Sequence, residues 1–230
     1  MTPSQEAVRP SWIFIPDTCV LLDIVRAPVR REFSRENARA LIDVSNRVRL
    51  DCDGVRIVIP TLVREEFEEN LPKVQGDAVN ELSKVLSSLA HAHQTLNILS
   101  AKEPSPPTQD AAQLIGLCVK FARDLINMAQ ELPTSDEDVQ RAAFRSLKGH
   151  APAKRGKSSI QDCVITEFAL RMALESAQTP GTSSVLFISS NDADYCDGRR
   201  LLTSLQTEFD AAGLDFCRNW AESRGSIMRR

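Results

Sequence analysis

The sequence has few aromatic residues: Phe, Trp and Tyr together fill 5% of its 230 positions. That argues against an aromatic stacking platform for single-stranded nucleic acid. It also has no surplus of positive charge. Lys and Arg number 28 against 31 Asp and Glu, a net charge of −3, which excludes holding nucleic acid by bulk positive charge. An acidic, metal-loaded centre beside a local basic strip stays compatible with that balance. The six cysteines, at 19, 52, 118, 163, 196 and 217, form no CxxC pair, so a zinc knuckle is not expected. The thiols read as reduced and mostly buried. His91 and His93 would point to different faces of a helix and make a poor metal pair. No run approaches the ~20 apolar residues that span a bilayer. The opening residues, MTPSQEAVRPS, are too polar for a signal peptide. The expectation is a cytoplasmic protein without a membrane partner.

Short apolar runs alternate with helical patterns. Trp12–Ile15, Val55–Ile59 and Val185–Ile188 read as buried strands, with a further strand at Leu214–Cys217. Residues 18–26 read as a turn or short helix, and 35–48 as an amphipathic helix. A helix after Thr61 is expected to stop at Pro72, followed by helices over 78–99 and 111–132. Ser135 caps another that ends near Gly149, and 159–177 and 198–212 complete the set. This alternation predicts a three-layer α/β/α sandwich with a central, mostly parallel sheet. The expected organisation is one domain over 1–230. Its core covers about 10–72 and 155–217, with a helical insertion over about 73–154 and a basic, mobile tail over 218–230.

In open parallel sheets, functional groups gather beyond the C-terminal strand ends. Two strands here run straight into aspartate: IFIPD at Asp17 and LFISSND at Asp192. Glu66 lies on the helix after the second strand, with Glu65 as the alternative, because neighbouring helical side chains point about 100° apart. Asp162 sits in the first turn of the 159–177 helix. Any one of these could be a cap or a solvated acid; the ordered set points to a shared pocket. Carboxylates crowded together repel, and a hard divalent cation relieves the repulsion. Such a centre can activate water against a phosphodiester. From Val139 to Gln161 there is no acid, while Arg141, Arg145, Lys148, Lys154, Arg155 and Lys157 lead directly into Asp162. Lys154, Arg155 and Lys157 are the expected phosphate contacts. For Arg141 and Arg145 a solvated helix face is as good an account. Cys163 reads as a packing residue and Trp220 as a tail anchor.

With IPDTCVLLD, IPTLVREEFEE, GKSSIQDCVITE and FISSNDADY in hand, the chain resembles the PIN-domain family, in a larger variety with a helical insertion. The resemblance covers roughly 10–72 and 155–217. It implies a metal-dependent nuclease, most often a ribonuclease, with Asp17, Glu66, Asp162 and Asp192 as catalytic acids. Mg²⁺ or Mn²⁺ would be held by Asp17, Asp162 and Asp192, with Asp194 as a fifth acid. Thr18, Ser190 and Asn191 would support them, the last two by orienting Asp192. Cys19 stands where the family usually has Asn. The implied substrate is RNA; an antitoxin-like protein partner and a homodimer are left open, as is a toxin, defence or RNA-processing role. Two other readings compete. One is a non-catalytic scaffold that binds RNA or protein. The other is a haloacid-dehalogenase-type phosphohydrolase, disfavoured because Asp17 is followed by Thr18-Cys19 and lacks the second Asp of that motif.

Overall fold

The computed structural model describes residues 12–50, 54–100, 110–154, 160–178 and 184–228. A five-stranded sheet is built from β1 (Trp12–Pro16), β2 (Val55–Pro60), β3 (Gln130–Leu132), β4 (Ser184–Ile188) and β7 (Leu214–Cys217) in the order β3-β2-β1-β4-β7. Every pairing in it is parallel. The two central strands are apolar on both faces, as a sheet covered on both sides requires: Phe14, Ile15, Leu186, Phe187 and Ile188 are fully buried. A two-stranded ribbon, β5 (Cys196–Asp197) and β6 (Arg200–Leu201), precedes helix α8 (Thr203–Ala212), so the expected helix over 198–212 begins later than its pattern implied.

Helix α1 (Thr18–Arg26) follows β1 directly, and α2 (Arg35–Arg49) is capped by Ser34, whose side chain accepts from the Asn37 N–H. Helix α3 (Thr61–Leu99) runs unbroken through Pro72, where a stop was expected. Pro72 removes one N–H, but it and Glu68 are solvent-exposed, so water can serve the carbonyl left without its donor. Buried Leu71 and Val74 on either side anchor the helix to the core.

The segment expected to be wholly helical also supplies the edge of the sheet. Helix α4 (Ala111–Met128) ends before β3, which pairs with β2. Arg64 on α3 fastens this edge, donating to Glu131 Oε2 at 2.6 Å, Asn127 Oδ1 at 3.1 Å and the Ile126 carbonyl at 3.2 Å. The C-terminal segment differs from the expected mobile tail: it forms α9 (Trp220–Met228). Trp220 is fully buried, and the Ala221 N–H donates to Asn37 Oδ1 on α2 at 3.0 Å. Among the described residues, no helix is long and apolar enough to cross a membrane.

Helix α5 (Asp136–Lys148) begins with a reciprocal Ser135–Asp138 capping box and ends at Gly149 in the left-handed region, φ 66°. It packs on α6 (Ile160–Ala177) with an ion pair at the contact. Buried Arg145 donates to Glu167 Oε1 at 2.7 Å and to the Ala151 carbonyl, and it also engages both carboxylate oxygens of Glu208. Arg145 is thus a structural residue, whereas exposed Arg141 pairs, among the described residues, with its helical neighbour Glu137. Removing one member of a buried ion pair strands the other and typically costs ~3–5 kcal/mol. Arg145→Ala should therefore lower unfolding free energy by about that amount, the part-exposed Glu208 placing it at the lower end. Arg141→Ala should change it by less than about 0.5 kcal/mol. Urea unfolding of both variants checks the contrast, and equal effects would contradict it.

Candidate metal centre

Asp17 occupies the turn between β1 and α1, at the sheet's C-terminal mouth. It stands at the N-cap position of α1 yet makes no side-chain capping bond. Its carboxylate, 3% exposed, turns to the neighbouring strand end instead. Ser189 Oγ donates to Asp17 Oδ2 at 2.7 Å, and Cys19 Sγ approaches the same oxygen at 3.1 Å. The backbone holds this arrangement: the Asp17 N–H donates to the Ile188 carbonyl at 2.8 Å, and the Ser189 N–H to that of Cys217 at 3.0 Å. Burial pushes the Asp17 carboxyl above its usual range; the hydrogen bonds from Ser189 and Cys19 oppose that rise without cancelling it.

Glu66, not Glu65, faces this centre. It is half-buried and accepts a 2.8 Å hydrogen bond from Thr18 Oγ1, while Glu65 is exposed. Burial raises the Glu66 pKa, Thr18 lowers it, and the negative charge of Asp17 raises it further. The Asp17 and Glu66 carboxyls therefore share one electrostatic environment.

Tyr195 anchors the first turn of α6 through the Asp162 main chain. Its hydroxyl lies 3.1 Å from Thr166 Oγ1 and donates to the Asp162 carbonyl at 3.3 Å, and Thr166 donates to that carbonyl at 2.8 Å. Burial, then the charges of Asp17 and Asp162, hold the phenol well above its ordinary pKa. Asp162 itself is half-exposed in the first turn of α6.

The turn 189–195 separates two aspartates that look equivalent in sequence. Residues two apart on a helical turn point about 200° apart, so α7 (Asp192–Tyr195) can turn only one of them inward. Asp194, beside fully buried Tyr195, is 1% exposed. Asn191 Nδ2 donates to its Oδ2 at 2.9 Å, and Lys154 Nζ lies 3.1 Å from its Oδ1. Asp192 is exposed and, with Asp23, Arg30, Ser190 and Arg218, lines a cavity of about 160 Å³. Of the residues expected to orient Asp192, Asn191 serves Asp194, and Ser190 donates to buried Asp23 at 2.7 Å.

Ser189 and Asp23 were missed in the sequence. Ser189 receives the Asn191 N–H at 3.2 Å while donating to Asp17, so one short turn links Asp17 to Asp194. Its signal was its place immediately after β4. Asp23 lies one helical turn and a half beyond Asp17 and is held by Arg30 and Ser190. Cys19 fills the position of the family's usual Asn and takes a full part in the network: besides approaching Asp17, it accepts from the Ser190 N–H at 3.2 Å. Burial and the Asp17 charge keep its thiol protonated, hence a donor. Of the expected phosphate contacts, Lys154 binds Asp194 and the Ala193 carbonyl; Arg155 and Lys157 lie outside the described residues. Cys163 is buried and packs with Ala142 and Ala153.

Among the described residues, no three His, Cys, Asp or Glu side chains come together as a ready-made metal cage. The donor set is nonetheless hard carboxylate oxygen, and two of its members are strained toward protonation by burial. That chemistry fits Mg²⁺ or Mn²⁺, with Mg²⁺ keeping most of its waters and taking only one or two carboxylates directly.

A carboxyl whose folded pKa is raised binds protons more tightly in the folded than in the unfolded chain. Its contribution is most favourable below the unfolded pKa and is lost as pH rises through the folded one. In chelator, the stability difference between wild type and Asp17→Asn should therefore shift in favour of the variant as pH is raised from about 4 to 7. Urea unfolding across that range checks this. A shift in favour of wild type would show that Asp17 is stabilised as an anion by its donors.

No characterised protein sequence and no solved structure matches the chain. A family model for the PIN domain matches residues 13–195, which takes in all of β1 but Trp12, the acids at 17, 66 and 162, the helical segment between them and the whole 189–195 turn. The chain therefore belongs to the PIN-domain family, whose members are generally nucleases that use divalent metals.

Proposed function

We propose that the protein is a divalent-metal-dependent nuclease that hydrolyses phosphodiester bonds, with RNA as its substrate. The observation that carries the reading is the set Asp17, Glu66, Asp162 and Asp194. These acids come from the β1–α1 turn, α3, α6 and α7; the charges of Asp17 and Asp162 both reach Tyr195, that of Asp17 reaches Glu66, and the two whose shift is resolved are both raised. Asp17 and Asp194 are the direct ligands of this proposal, linked through Ser189 and Asn191. Half-exposed Asp162 closes the rim, and Glu66, held by Thr18, orients the attacking water. Bound Mg²⁺ or Mn²⁺ would supply Lewis-acid charge and lower the pKa of that water. Solvent-exposed Asp192 is left out of the ligand set of this proposal. The RNA preference rests on the usual substrate of the family.

Lys154 has a part in this reading. Its ammonium lies against Asp194 and so offsets the charge of a buried acid. Its side chain is half-exposed and can leave for a substrate phosphate when a cation takes over that charge. The same contact is what favours the alternative of a non-catalytic RNA- or protein-binding scaffold, in which the ammonium stays where it is.

Calorimetric titration of Mn²⁺, with cleavage of a short single-stranded RNA, separates the readings. The nuclease binds Mn²⁺ and cleaves. Asp17→Asn and Asp194→Asn should each lose about a hundredfold or more in rate, ~2.7 kcal/mol of transition-state stabilisation. Asp192→Asn should stay within a few-fold of wild type. Neither Mn²⁺ binding nor cleavage would leave the scaffold, and a severe Asp192→Asn defect would move the site to the outer face of the turn.

A further inference from the structure

Helix α3 changes character at Leu82. Up to that point its buried side chains, Val63, Phe67, Leu71, Val74, Ala78 and Leu82, face the core. Beyond it, large apolar side chains face water: Val85 is 58% exposed, Leu89 61%, Leu96 61% and Leu99 77%. With exposed Ala92 they are spaced four, three, four and three residues apart, the alternation of a coiled-coil seam. Fifteen helical residues at 1.5 Å each give a stripe about 22 Å long.

Its surroundings are as unusual as the stripe. Between Lys84 and Lys102 there is no Asp, Glu, Lys or Arg. The solvated face of a surface helix is ordinarily charged, as on α2 with Arg35, Glu36, Arg39, Asp43 and Arg47. The positions flanking the seam are Leu86, Ser88, His93 and Thr95.

We infer that residues 85–99 of α3 pair with the same segment of a second copy of this chain, as a short two-helix seam about a twofold axis. Charge decides the occupant. Two identical helices bring identical flanks together, and neutral flanks let them meet without like-charge repulsion. A different protein selected by charge would leave complementary acids or bases beside the seam, and none is there. A lipid surface calls for Lys or Arg on the face opposite the seam, and that face, with Ser87, His91, Gln94 and exposed Ile98, has neither. The chain's own first residues, MTPSQEAVRPS, are too polar to fill a leucine stripe. With a seam of about two heptads the interface lies at the small end of specific ones, so the dimer exchanges with monomer in about the micromolar range.

Sedimentation equilibrium of the full chain over a broad concentration series tests this. The mass should rise from that of one 25.5 kDa chain toward twice that value. The Leu89→Glu/Leu96→Glu double variant should remain monomeric throughout, with at least a tenfold loss in association constant. Both side chains are exposed, so its circular dichroism should match wild type, and so should its melting temperature at concentrations low enough for the wild type to be monomeric. If that variant is misfolded, the milder Leu89→Asn/Leu96→Asn pair replaces it, with the same expectation. A wild-type chain monomeric at every concentration, or a dimer that survives both pairs of substitutions, would overturn the inference.

Discussion

Burial of the Asp17 carboxylate is the constraint on which the rest of the site depends. A carboxylate removed from water must be hydrogen-bonded, paired or protonated. This one sits at the end of a central strand, where the parallel pairing of β1 with β4 brings Ser189 beside it and the β1–α1 turn places Cys19 on the same oxygen. These donors fix its direction without neutralising it. Burial raises the pKa of Glu66 and Tyr195, and the remaining negative charge of Asp17 adds to the rise of both. In the proposed nuclease, that strain is the means by which the centre would recognise a cation.

The turn after β4 distributes hydrogen bonds so that each polar side chain serves a different acid. Ser189 serves Asp17, Ser190 serves Asp23 and Asn191 serves Asp194. Three consecutive residues thereby lock three buried aspartates, and helical geometry leaves Asp192 to solvent. Conservative changes within 189–191 are therefore not interchangeable, although each residue is small and polar.

The parallel sheet was legible because its inner strands are buried on both faces and read as continuous apolar runs. The exception was β3, where Gln130, Glu131 and Leu132 lie on an edge and carry no apolar pattern. Pro72 misled for a physical reason: a proline interrupts one hydrogen bond, and flanking core contacts at Leu71 and Val74 carried the helix past it. The tail looked mobile because its composition is polar and basic; Trp220, read as an anchor, is fully buried and outweighs that polar run. At the site, Asp17 and Asp162 stood out in the sequence at a strand end and a helix start, whereas Glu65 and Glu66 stayed alternatives there, because only the fold shows which of the two meets Thr18. The choice between Asp192 and Asp194 could not, since it turns on which way a four-residue helix faces. Arg145 was likewise unreadable, because its partners Glu167 and Glu208 lie on distant helices.

The account stands on where a divalent cation sits. The most direct measurement is a crystal structure of the protein grown with Mn²⁺, read by anomalous scattering. The expected result is density in contact with Asp17 and Asp194, with Lys154 displaced from Asp194. Density beside Asp192 and Arg218, or none at the sheet mouth with Lys154 still on Asp194, would contradict it.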